Sequence, residues 1–302
     1  MKLNSTWKAF RGWLGITLLA AAILAAGCAD PEMGRDASEY FGEGTYSTVN
    51  EEIEFTDEPY DIVGEVPIQD LRDLIPEFEF VWYGFSENDV YPVSGDCDPQ
   101  RDFDTTEPAY LEELPATIEG VVTMHPRYFM KVSVCGTEER YYGSYVIQDQ
   151  STGIHVLKDS RIGEFDVGDR VRLRVRALIR SFGTYAVLAY DEEEVLTTPS
   201  TREPVYYQQI ERNFQEGTDN YEVFRIVGRV ALEATNQNFN EMIVESEEES
   251  NVEWLVSLDR ELGTRGVAPP EGALVQLTGP VFDSFGMRML ITNLGQIEVL
   301  EE

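Results

Sequence analysis

The sequence predicts an all-β protein: two tandem five-stranded closed barrels, preceded by an acidic, partly irregular N-terminal segment. Three observations predict it. Two segments, Thr117 to Leu196 and Arg225 to Leu300, repeat the same order of short apolar runs, which marks duplicated units. Each segment holds about five runs rich in Val, Ile, Leu and Tyr, broken by Gly, Asp and Asn, a strand signature. Glycine spacing also matches: Gly120 precedes Gly168 by 48 residues, Gly228 precedes Gly272 by 44, and an SFG tripeptide follows 13 and 12 residues later. The glycine of SFG can supply the positive φ that a short hairpin needs. Five strands in about 80 residues suit a small barrel, because closure removes exposed sheet edges.

Taken in order, residues 1–27 hold Lys2, Lys8 and Arg11, no acid, and the apolar run LGITLLAAAILAAG before Cys28. A basic start and a short apolar stretch read as an export signal. Because AAGC ends that run on a cysteine, the stretch resembles the lipobox of bacterial lipoproteins. The resemblance implies that Cys28 is lipidated and anchors the mature chain to a membrane of the bacterial cell envelope; Ala29 after it favours the outer membrane where a cell has two. Residues 28–60 are acidic with little apolar periodicity and are expected to be a tether. Residues 61–115 form an acidic segment with one short helix, over Pro67 to Ile75, and a strand around Trp82 and Tyr83. Residues 116–198 are the first barrel. Residues 199–222 are a linker with a second helix over Tyr206 to Phe214, and 223–302 are the second barrel.

Within the first barrel, Ile118, Gly120 and Val122, then Tyr145 to Asp149, Gly153 to Val156 and Val167 to Asp169, stand in the order IxGxV, YVIQD, GIHV and VGD. This order resembles the OB-fold, and more narrowly the OB-like domains of exported bacterial proteins. The second unit, with VES and PEG in place of IQD and VGD, resembles them more weakly. Asp149 before Ser151, Thr152 and Gly153, and Gly168 before Asp169, are read as turn chemistry.

The run RVRLRVR places Arg170, Arg172, Arg174 and Arg176 on one face of a strand, in a chain whose net charge is −33. Acids of the same chain are the expected partners: those of the N-terminal segment, where residues 29–114 hold 25 acids and three arginines, or Glu192, Glu193 and Glu194 on the final strand. The competing reading is a binding face. Tyr141, Tyr142 and Tyr145 lie near strand two, where OB-folds take ligands, and aromatics beside arginine suit single-stranded nucleic acid. The total charge argues against a polyanion, so nucleic acid is set aside as the main partner in favour of an envelope protein or a glycan, and single-stranded nucleic acid on the first barrel is kept as an alternative.

Cys97 and Cys135 are a disulfide candidate in an exported chain. Asp96, Asp98, Gln100, Asp102, Asp104 and Glu107 echo the oxygen spacing of a calcium loop, but Arg101 stands where that loop needs Gly, so only an irregular calcium site is expected, and no other cofactor. His125 reads as a turn residue and His155 as a strand residue. No GxSxG, P-loop or GxGxxG motif is present. The sequence therefore predicts a non-enzymatic binding or scaffold lipoprotein. A hydrolase or accessory subunit, with a site assembled between segments, is the alternative that a pocket of converging polar groups would support.

Overall fold

The structure, a computed structural model, describes residues 52–74, 113–135, 138–158, 165–181, 184–235, 237, 240–259, 262, 266–283 and 286–301. Side chains at 125–144, 157–158, 176–177, 179–181, 184 and 188–192 fall outside that description. Cys28, Trp82, Tyr83, Cys97 and the Asp96 to Glu107 loop also lie outside it, and Cys135 is described only as the backbone end of a strand. Among the described residues no helix is long and apolar enough to cross a membrane.

The described chain opens with β1 (Phe55–Thr56) and α1 (Ile68–Asp73). The first barrel follows: β2 (Ala116–Cys135), β3 (Glu138–Gln148), β4 (Gly153–Lys158), β5 (Arg170–Ser181) and β6 (Thr184–Val195). It closes in the order β2-β3-β4-β6-β5, with β4 and β6 parallel and β2 and β5 antiparallel. Alternation fills the interior: Ile118, Val122, Tyr145, Ile147, Ile154, Val156, Val171, Leu173 and Val175 share one buried cluster, capped by Ile68 and Leu71 of α1.

The second β unit contains β9 (Val223–Leu232), β10 (Glu241–Ser246), β11 (Glu253–Leu258), β12 (Leu274–Asp283), β13 (Met287–Ile291) and β14 (Ile297–Glu301). They lie in a seven-stranded sheet in which β12 also pairs with β9. Its core holds Trp254, Met242, Val244, Val275, Leu277 and Met289. The two units share hydrogen bonds at the glycines singled out above. The Gly168 amide donates to the Val122 carbonyl and the Val122 amide to Asp169; the Gly272 amide donates to Val230 and the Val230 amide to Ala273. Gly168 and Gly272 have φ of +89° and +90°, a region that favours glycine.

Three expectations are corrected. No helix forms over Tyr206 to Phe214. Instead β7 (Val205–Tyr206) pairs in parallel with β1, and β8 (Gln208–Gln209) pairs in parallel with β9. The four-residue spacing of Tyr206, Ile210 and Phe214 suggested a helix, but backbone partners on β1 and β9 win over that local pattern. Residues 53–56, expected in the tether, are accordingly packed, with Ile53 and Phe55 against Val167, Val205 and Val223. His125 lies within β2 rather than in a turn, where the register against β3 slips between Met124 and Arg127 and one extra residue bulges out. α1 is present at the expected place, and His155 is on β4.

Candidate binding cleft

The arginine stripe is neutralised inside its own barrel. Val171, Leu173 and Val175 point inward, so Arg170, Arg172 and Arg174 point outward. Glu119 of β2 lies directly opposite Arg172 in the register. Its carboxylate takes Arg170 at 2.5 Å and Arg172 at 2.7 Å, and Arg172 also reaches Glu194 at 2.8 Å. Burial alone would raise the Glu119 carboxyl; the bonds from Arg170 and Arg172 outweigh it and hold the group below the usual carboxylate range. Past Arg174 the β5–β6 register shifts repeatedly, and the Arg176 side chain lies outside the described residues. Glu194 was among the expected partners; Glu119 was not. Its only signal was the outward position between Ile118 and Gly120.

Tyr145 is corrected from a surface platform to a core residue. It is fully buried, its ring 4.9 Å from that of Phe165, and its hydroxyl donates to Glu193 at 3.1 Å. It shares the inward phase of β3 with Ile147. Val146, in the opposite phase, packs with Met124 against Tyr221, Phe282 and Leu290. The outer face of β3 at this point is therefore covered by the second unit. Tyr141 and Tyr142 lie on β3, their side chains outside the description.

A different site is assembled from segments far apart in the chain. It is a polar cleft of about 620 Å³ lined by Tyr60, Arg72, Gln148, Asp149, Tyr185, Tyr206, Arg212, Asp219 and Glu222, among others. Its floor starts from the β3–β4 turn. Asp149 Oδ1 accepts the Ser151 and Thr152 amides at 2.7 and 3.1 Å, the side-chain-capped turn expected of this sequence. Asp149 Oδ2 also accepts the Ile68 amide at 2.9 Å, and Ser151 Oγ accepts that of Gln69 at 3.1 Å. These bonds satisfy donors that the start of a helix leaves open, and they dock α1 onto the barrel.

Docking brings Arg72 into the floor, 6% exposed. Its Nη1 donates to Thr152 Oγ1 at 2.5 Å and to the Gly153 and Asn220 carbonyls at 3.2 Å. The guanidinium lies 4.6 Å from the centroid of the Tyr185 ring, a cation–π contact. Burial lowers its titration, opposed by the nearby Glu222 charge. Glu222 accepts Thr152 Oγ1 at 2.6 Å, Gln148 Nε2 at 3.0 Å and the Gly153 amide at 3.3 Å. Burial raises its carboxyl, and the Thr152 bond and Arg72 pull the other way. Arg72 Nε and Gln148 Oε1 are buried without a partner. On the far wall Arg212 holds Asp219 through two bonds of 2.6 and 3.0 Å, and the Tyr206 amide donates to the Tyr60 hydroxyl at 2.9 Å.

This arrangement can hydrogen-bond and stack a ligand. It has no nucleophile held by a histidine, and no cluster of three metal-ligating side chains occurs among the described residues. Neither Arg72 nor Glu222 carried a sequence signal, because their partners lie 69 to 148 residues away.

No family model and no curated protein matches the chain. Solved structures do. A mitochondrial single-stranded DNA binding protein from S. cerevisiae, Rim1, matches with a TM-score of 0.23 and 16% identity over 28% of this chain and 97% of its own. A replication protein A heterotrimer bound to single-stranded DNA matches with 0.30 and 13% over 62% of this chain and 48% of its own. A murine DNA binding protein bound with double-stranded DNA matches with 0.32 and 10% over 62% and 96%. The expectation that set nucleic acid aside is corrected by these matches, since DNA-binding proteins are among the structures similar to this chain. A net charge summed over the whole chain says little about one local site. At such identities and TM-scores the likeness carries no argument of its own; the OB-like architecture of the first barrel is read from its closed five-stranded order.

Proposed function

We propose that this chain is a non-enzymatic binding protein in which two OB-like barrels and α1 are locked around one polar cleft. The second barrel is supported by its pairings, which run β9-β10-β11-β13-β12 and return to β9, with β11 and β13 parallel as β4 and β6 are. The basic start, short apolar run and Cys28 support a lipid-anchored place in a bacterial cell envelope, the outer membrane where there are two.

The ligand class proposed for the cleft is single-stranded nucleic acid, held by stacking rather than by phosphate neutralisation. The observation that carries this reading is the convergence of Tyr60, Tyr185 and Tyr206 with Arg72 and Arg212 on one cleft. Bases stack on such rings regardless of sequence. Both arginines already have protein partners, so few counterions are released and affinity should fall only gently with salt. The test is fluorescence anisotropy of a labelled 20-nucleotide oligothymidine with the full chain at 20 and 200 mM salt. Binding that Tyr206→Ala weakens about tenfold, with a shallow salt slope, supports the reading; absence of binding, or binding that Tyr206→Ala leaves unchanged, overturns it. The raised Glu222 carboxyl favours a second reading, a hydrolytic site with Glu222 as proton donor. Loss of the oligonucleotide in wild type but not in Glu222→Gln would establish that reading instead.

A further inference from the structure

We propose that His155 makes the junction between the first barrel and the second β unit an acid-sensitive interlock. On β4 the neighbours Ile154 and Val156 point into the first barrel, so His155 points out of it. There it is fully buried, stacked on Tyr221 with ring centroids 5.7 Å apart and edge-on to Phe282 at 5.4 Å. Tyr221 and Phe282 in turn meet at 4.9 Å. Neither imidazole nitrogen has a hydrogen-bond partner. The ring thus serves as a neutral aromatic plug, and a protonated ring would be a buried charge with nothing to receive it.

The groups packed around it offer no counter-charge among the described residues. Met124 of β2, Val146 of β3, Phe282 of β12 and Leu290 of β13 are apolar. Tyr221 and Tyr185 bring phenol hydroxyls and no carboxylate. Arg72, over the Tyr185 ring, is itself a cation. Glu222 is next in the chain to Tyr221, but its carboxylate is turned to Thr152, Gly153 and Gln148. Tyr221 also sits at φ +68°, a strained setting for a bulky residue, held by its amide bond to the Val281 carbonyl and by the return bond from Val281 to Glu222. Opening the junction releases that strain and wets the imidazole in one step.

Burial lowers His155 from 6.5 to about 3. A depressed histidine stabilises the closed junction fully above the unperturbed value, and that stabilisation is lost as pH falls from about 6.5 toward the folded value. Each pH unit in that window multiplies the opening constant by about ten, so moving from pH 7.5 to 4.5 raises it about a hundredfold.

Hydrogen exchange on the full chain tests this, with wild type, His155→Phe and His155→Leu measured at both pH values and corrected for intrinsic exchange. The amides of Tyr221 and Val281 should lose about a hundredfold more protection at pH 4.5 than those of Val171 and Val256 in the two cores. Whichever variants fold should abolish that difference; Glu222, whose carboxyl burial raises, stabilises the junction toward acid and so cannot produce the loss. Equal loss at junction and cores in wild type, or an acid response that survives in both variants, overturns the proposal; if neither variant folds, the wild-type contrast decides it.

Discussion

Where the first barrel places Arg172 opposite Glu119 and Glu194, the second β unit places Gln276 opposite Val227 and Glu298. Arg172 bonds Glu194 at 2.8 Å and Gln276 bonds Glu298 at 2.7 Å. The matching strands thus carry an ionic layer in one unit and a single amide-to-carboxylate hydrogen bond in the other, over matched glycine hydrogen bonds and matched inward residues. The arginines are therefore not what makes this strand pairing. Shared inner faces and glycines build the frame, and the charges are balanced locally on top of it.

The largest effects should come from the two cores. Trp254→Ala and Tyr145→Ala each remove a fully buried large side chain and are expected to cost about 3–5 kcal/mol. Calorimetry should show one shifted transition in both cases if the junction couples the units; two separate transitions would break the comparison by showing independent folding.

Next come the paired glycines. Alanine at Gly168 or Gly272 forces an L-residue to positive φ, at roughly 1–2 kcal/mol. A Cβ at Gly168 would also stand 2.9 Å from the Glu203 carbonyl, whereas nothing lies within 4 Å at Gly272. Urea unfolding should therefore rank Gly168→Ala as the more harmful. Equal losses would mean that the contact yields freely.

The ionic layer can be probed by exchange. Glu119→Gln leaves Arg170 and Arg172 without their shared carboxylate and should cost about 1 kcal/mol, kept low by the exposure of both arginines. Carrying over the second unit's residues as Glu119→Val, Arg170→Leu and Arg172→Gln together should cost less than that single change, because both signs of charge leave at once. Since Glu119 is held below its ordinary range, its contribution is present above the unperturbed carboxylate value and fades as pH falls through the depressed one. The gap between wild type and Glu119→Gln should close there. The smallest effect belongs to Glu298→Gln at the equivalent exposed place, within about 0.5 kcal/mol.

Much of the frame was legible because it rests on local pattern. Alternation in VRLRV and the spacing of Gly120, Gly168, Gly228 and Gly272 report strand phase and tight turns directly. What escaped depends on partners distant in sequence. Glu119 is one of 56 acids, and nothing near it in the sequence says that it meets two arginines. Tyr145 looked like a platform because two more tyrosines precede it, yet phase put it inside. The segment DNYE at 219–222 reads as an ordinary polar linker, although Asp219, Asn220 and Tyr221 are buried and a non-glycine residue there holds a positive φ. Tyr206 to Phe214 misled for the same reason in reverse: a helical spacing was overridden by strands on either side.

The docking of α1 has a consequence in time. Six residues cannot hold a helix in water by themselves, and the groups that satisfy its first amides, Asp149 and Ser151, lie 81 and 82 positions further along. At roughly 5–20 residues per second, that stretch takes on the order of 4–16 seconds to be made. Throughout that interval Ile68 and Leu71 have no core to enter, so this early-made element must wait for a later one, and whatever shields those side chains meanwhile governs how much of the protein reaches its folded form.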